Sequence, residues 1–287
     1  MRLVTYDRGG ARRLGAWVDG TVVDLPDAVG HPSFPATMER LVEHSGGTIL
    51  DAARDILSQP EDALEFAVPK ARLLIPLLPH ALRRADGPIS SPLVDPTSGL
   101  MVLGPDEEVP WPANGTLDMN IEVACVIRGR GSSLSRREAE QAIFGYTIVV
   151  DWRDSDEPAG AASARNHRRS NGHGAPSQRY VALSFGPCIV TSDDFDVARV
   201  AVNVRVDRKI LSRGSVADVK TAFAEVVRQA SREQELRPGD LLGSGDQPGG
   251  RSHWDLHPGA TVEVEAERIG VLRTSVGKRV RTLARRR

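Results

Sequence analysis

Along most of the chain apolar residues recur at every second position, in short runs separated by turn residues. That period puts successive side chains on opposite faces of a strand, so the chain reads as mostly β. Strands are predicted at 2–6, 13–18, 21–25, 121–127, 146–151, 188–191, 200–206, 261–267 and 271–276. Asp19-Gly20 joins the second and third of these and is a hairpin signal, because both residue types tolerate positive φ. Helical spacing is confined to a few places. Ile49, Leu50, Ala53, Ile56 and Leu57 share one face, Met38, Leu41 and Val42 suggest a shorter helix, and Ser135 with Glu138 forms a reciprocal capping pair. A further helix carrying Val216, Val219, Phe223, Val226, Val227 and Ala230 is expected to begin near Ser215. Pro69, Pro76, Pro79, Pro88 and Pro92 break the periodicity between these regions. They divide a small N-terminal α/β domain, 1–71, from a larger domain, 72–287, in an α+β, mostly β chain.

Composition narrows the function classes. A chain of 287 residues is long enough to bury a core without disulfide or metal staples. Charged residues make up 26% and the net charge is −1, so no overall field points to nucleic acid or an anionic membrane. Cys125 and Cys188 both lie in apolar runs, which suits buried, reduced thiols and a cytoplasmic location. No apolar stretch approaches the ~20 residues that a bilayer requires. Residues 165–173 are rich in arginine but lack the interleaved aromatics of a nucleic-acid surface. They read as a polar loop able to cover a pocket.

The chemistry is concentrated in 117–127. Alternation puts Ile121, Val123, Cys125 and Ile127 on one face and Asn120, Glu122 and Ala124 on the other. A glutamate within so apolar a strand is costly to bury unless a cation or hydrogen-bond donors compensate it. The apolar run 145–150 likewise ends in a carboxylate, Asp151. If the two strands are neighbours, Asn120, Glu122 and Asp151 offer three oxygen ligands of the kind that suit magnesium, calcium or manganese. Alternatively, Asn120 and Glu122 simply hydrogen-bond within the pocket.

These segments resemble the fumarylacetoacetate hydrolase family. The resemblance rests on Asn120-Ile121-Glu122, the helix after Ser135, Gly145-Tyr146-Thr147, and Val150-Asp151-Trp152. It continues through Gly186-Pro187-Cys188, the run 238–245, Pro258-Gly259 and Ile269-Gly270, in order along nearly the whole chain. It implies a mixed β-sheet roll, usually a homodimer, and a small-molecule substrate. Its members hold a divalent metal through two glutamates and an aspartate, and they cleave or isomerise a β-dicarbonyl or oxo-acid.

The chain departs from that pattern. Asn120 stands where the first glutamate belongs, which lowers ligand charge and implies a magnesium or manganese ion held weakly or not at all. The lid motif expected near 75–86 has His80 as its sole imidazole, in unmatched surroundings, so water activation there is in doubt. Arg179 takes the place of a substrate-contacting lysine; it can hold an oxyanion but is a poor proton donor. Asp246 follows Gly245 where a threonine is usual and is a candidate acid/base group. Trp152, Arg153, Ser244, Gly245 and His173 complete the expected substrate contacts, with Arg153-Asp154 as the surviving Arg-Asp pair. The resemblance and its departures imply an enzyme that cleaves, decarboxylates, isomerises or cyclises a small β-dicarbonyl, enol or 2-oxo compound through an enolate. The alternative is a catalytically silent relative that binds a ligand or partner.

Overall fold

The alternating pattern becomes two sheets. The computed structural model describes residues 1–84, 100–113, 115–155, 179–216, 222–243, 245 and 254–278. In chain order the elements are β1 (Arg2–Arg8), β2 (Ala11–Val18), β3 (Thr21–Asp24), α1 (Leu25–Val29), α2 (Met38–Glu43), α3 (Thr48–Leu57), α4 (Pro60–Leu64), β4 (Ala67–Val68), β5 (Leu82–Arg84), β6 (Met101–Leu103) and β7 (Glu108–Val109). They continue with β8 (Thr116–Ile127), α5 (Arg136–Gln141), β9 (Ile143–Ser155), β10 (Arg179–Thr191), β11 (Ala201–Val206), β12 (Lys209–Ser215), α6 (Phe223–Glu233), β13 (Leu241–Gly243), β14 (Thr261–Ala266) and β15 (Gly270–Val276).

A ten-stranded mixed sheet runs β4-β3-β2-β1-β10-β9-β8-β13-β5, with β6 added parallel to β10. A five-stranded sheet runs β12-β11-β14-β15-β7. One face of the large sheet meets the smaller sheet and α6 across a core that includes Ile121, Val123, Ile148, Val204, Val227, Val264 and Leu272. Its other face is covered by α1–α3 through Leu25, Met38, Leu41, Leu50 and Ala53, packed with Ala124, Val149, Leu183 and Phe185. The chain is thus a β-rich roll with a few helices. The N-terminal strands join the same sheet, since β1 pairs with β10 at Arg2↔Val190 and Leu3↔Ile189. Hydrogen bonding therefore runs unbroken across the proline-rich division near residue 72.

The turn chemistry follows the sequence where the residues are distinctive. Asp19 and Gly20 adopt φ of 46° and 82°, and Val18 pairs with Thr21 across the hairpin. Ser135 and Glu138 cap α5 reciprocally. The helix expected from Ser215 is corrected: Ser215 pairs with Ala201 as the last residue of β12, and α6 begins at Phe223. The hairpin leading into β12 turns on Asp207-Arg208, both at positive φ, a pair without the glycine that advertises such a turn. Val219 lies outside the described residues.

Asp24 closes a second polar cluster, at the N-terminal end of the sheet. It accepts hydrogen bonds from Tyr6 Oη, from Arg8 Nη1 at 2.6 Å and from Arg13 Nε at 3.0 Å, and it caps α1 through the amide of Asp27 at 2.9 Å.

Candidate functional site

The ladder between β8 and β9 sets the geometry. Asn120 stands directly opposite Asp151, Glu122 opposite Val149, and Asp118 opposite Arg153. Cross-strand partners point to the same face. Asp118, Asn120 and Glu122 from one strand therefore join Asp151 and Arg153 from the other, on the face that carries Val149 and Ala124. Burial is nearly complete for Asp151, Glu122 and Asn120, at 0%, 1% and 8% exposure. The Arg153 side chain is 22% exposed.

Each buried charge has compensation. Asn120 Nδ2 donates to Glu122 Oε1 at 2.9 Å, and the Gly245 amide donates to Glu122 Oε2 at 3.0 Å. Arg153 donates through Nε at 3.0 Å and Nη2 at 2.7 Å, both to Asp151 Oδ2. The glutamate also depends on a missing side chain. A Cβ added at Gly243 would lie 2.2 Å from Glu122 Oε2, so only glycine leaves room for the carboxylate there. Trp254, 1% exposed, donates its indole N–H to Met119 O at 2.8 Å and covers the edge of β8 that β13 does not reach.

The sequence-derived candidates divide cleanly. Asn120, Glu122, Asp151, Arg153 and the Gly245 backbone come together. Trp152 does not: it pairs with Met119 on the opposite face, is fully buried, and donates to Ser184 Oγ at 2.8 Å. His80 is exposed, and its amide donates to Gly239 O beside Ile127, at the far end of β8. Five residues separate Ile127 from Glu122, roughly 17 Å at ~3.4 Å per residue. His80 is thus a surface residue, the reading that its unmatched surroundings in the sequence favour over a water activator. Arg179 pairs with Asp154 near the site end of β10, and its side chain lies outside the described residues. Ser244, Asp246 and His173 also lie outside them. Three contributors escaped the sequence reading. Asp118 was findable from the same alternation that exposed Asn120 and Glu122, whereas nothing local marks Gly243 or Trp254.

The cysteines take no part in the chemistry. Both are buried and unbridged, and burial raises Cys125 to about 12 and Cys188 to about 11, which keeps the thiols protonated.

Comparison with known proteins now decides the family. The family described as Fumarylacetoacetate (FAA) hydrolase C-terminal matches residues 92–277, well over half of the chain. The chain belongs to this family. A mitochondrial oxaloacetate tautomerase of Rattus norvegicus is 24% identical over 280 residues, covering 90% of this chain and 85% of that protein. Among solved structures, the fumarylacetoacetate hydrolase of Exiguobacterium antarcticum superposes with a TM-score of 0.69 at 23% identity, covering 97% of this chain and all of that one. Maleylpyruvate hydrolase from Sphingobium sp. SYK-6, solved with manganese(II) and pyruvate, gives a TM-score of 0.70 at 20% identity, covering 97% and 99%. These likenesses establish the mostly β fold of the fumarylacetoacetate hydrolase family.

The residues present do not fit a divalent ion as arranged. No group of three or more His, Cys, Asp or Glu side chains converges on a metal position among the described residues. Asn120 turns its amide nitrogen toward Glu122, and Asp151 already carries a guanidinium. Hard dications gain affinity from ligand charge, and an amide supplies none.

Proposed function

We propose that the protein is an enzyme acting on a small β-dicarbonyl, enol or 2-oxo compound through an enolate, by C–C cleavage, decarboxylation, isomerisation or cyclisation. One observation carries this reading: two buried carboxylates and an arginine share one face of β8 and β9, beside apolar Val149 and Ala124. A carboxylate there can take a proton from the carbon next to a carbonyl, and a guanidinium can receive the charge that develops on oxygen. Glu122 or Asp246 is the proposed proton carrier, and Arg179 the proposed oxyanion contact. Gly245, Arg153, Ser244 and His173 are assigned to substrate contact. The distant, exposed His80 supports chemistry other than addition of water. The reading requires no magnesium or manganese. It includes a homodimer, which rests on the resemblance, and a cytoplasmic location, which the two unbridged thiols favour.

A second reading, a catalytically silent binding relative, draws on one specific fact: both oxygens of Glu122 already accept protein hydrogen bonds. Exchange of C3 protons of oxaloacetate and other 2-oxo acids in D2O, followed by NMR, separates the two. The enzyme reading expects exchange well above the uncatalysed rate, abolished in Glu122→Gln. Background exchange across the whole panel would leave the silent relative standing.

A further inference from the structure

We propose that position 120 decides whether this site takes a divalent ion, and that Asn120 closes it by clamping Glu122 over β13. Protein N–H groups then hold the carboxylate where a cation would otherwise hold it. The inference rests on the reading of this face as the functional site, and it sharpens the metal-free part of that reading.

Direction is the first argument. Strand β8 lies between β13 and β9 in the sheet, with Asp151 on β9. The Glu122 side chain leans the other way. A Cβ at Gly243 of β13 would lie 2.2 Å from its Oε2, and the Gly245 amide donates to the same oxygen at 3.0 Å. Strands β13 and β9 are two strand spacings apart, roughly 10 Å, whereas two oxygens on one dication lie no more than about 5 Å apart. Donor chemistry is the second. Asn120 Nδ2 donates to Glu122 Oε1 at 2.9 Å, so each glutamate oxygen has an N–H directed at it. Turning the amide round would set two acceptors against each other at that distance, which fixes the nitrogen inward. A cation on Oε1 would have to displace that N–H, and the amide brings no charge to offset the loss. Burial is the third. Asn120 and Glu122 are 8% and 1% exposed, so opening the bond strips a donor from a carboxylate that bulk water does not reach. A carboxylate at position 120 reverses the situation. It cannot donate to Glu122, it repels that side chain, and it stands directly opposite Asp151. A dication would relieve both repulsions.

The test uses the full chain, stripped with EDTA and moved into chelator-free buffer, with manganese(II) alone as the probe. Electron paramagnetic resonance of the wild-type protein is expected to show added manganese remaining in the free pool. In NMR spectra the Asn120 side-chain amide, assigned by its loss in Asn120→Asp, is expected to exchange slowly with water. It should shift in Glu122→Gln and stay unbroadened when equimolar manganese is added. Asn120→Asp should bind one manganese per chain, at least tenfold more tightly than wild type, with circular dichroism unchanged. Stoichiometric manganese on the wild-type protein, or an Asn120 amide exchanging at the rate of a free side chain, would overturn the proposal without recourse to any variant. A folded Asn120→Asp that leaves manganese free would overturn it too; should that variant not fold, the two wild-type measurements decide. Failure here and failure of the enolate reading are distinguishable. Manganese held by wild type together with proton exchange keeps the reaction and removes the clamp, whereas free manganese and a protected amide without exchange do the reverse.

Discussion

Asp24 and Asp151 are both buried carboxylates on the ten-stranded sheet, and both are held by arginine. Their surroundings differ. The Asp24 side chain accepts hydrogen bonds from Tyr6, Arg8, Arg13 and Asp27, all within 18 residues along the chain, and the last of these comes from an amide in the first turn of α1. The carboxylate closes a local knot in which a helix start, a tyrosine hydroxyl and two guanidinium groups are satisfied together. Burial alone would raise its pKa, but the bonds from Arg13, Tyr6 and the Asp27 amide outweigh burial and leave it lowered. The Asp151 group is assembled across strands, with Glu122 receiving the amide of Gly245 from 123 positions away. Sheet integrity explains the first cluster. The second joins β8, β9 and the backbone after β13.

Stability measurements can break this contrast. The largest effect is expected from Asp24→Ala, which strands Tyr6 and Arg13 and removes the cap of α1. Breaking a buried pair in this way costs about 3–5 kcal/mol, readable as a lower urea midpoint. Asp151→Ala should cost distinctly less, because Arg153 can turn to solvent, yet abolish proton exchange; the opposite ranking would sink the comparison. Next comes Gly243→Ala. Its Cβ must displace Glu122, an overpacking expected to cost about 1–3 kcal/mol, with exchange lost while the far-ultraviolet circular dichroism spectrum is kept.

A smaller effect is expected from acid. The folded pKa of Asp24 is lowered, so its stabilisation is complete above the ordinary unfolded value of about 3.9 and fades as pH falls through the native value. Denaturation midpoints of wild type and Asp24→Asn should therefore converge as the pH is lowered below about 4. The smallest change is expected from Arg8→Ala. That side chain is 52% exposed, and a thermal melt should scarcely move.

Much of the site was legible because a strand has a period of two. Asn120 and Glu122 interrupt one face of an apolar run, and a polar residue at an inward position needs a local reason. The same logic failed for Trp152. It lies one residue after Asp151 and so takes the other face, where it is packed as core. Chain order near 75–86 could not show that His80 reaches the far end of β8, beside Gly239. The start of α6 was read too early because Ser215 and Val216 fit a helical stripe, whereas the ladder with Ala201 claims Ser215 for the sheet. Gly243 and Trp254 act by close approach and by edge cover, neither of which leaves a periodic trace.

Strand β10 changes neighbours along its outer side. Ala182, Leu183 and Ser184 lie against β6, while Ile189 and Val190 lie against β1. A polypeptide begun after the proline-rich division would leave that second stretch as a bare rail, ready to recruit any stray extended segment. The opening residues thus serve as a clasp against misassembly, and attempts to shorten the protein for crystallisation or display should cut elsewhere.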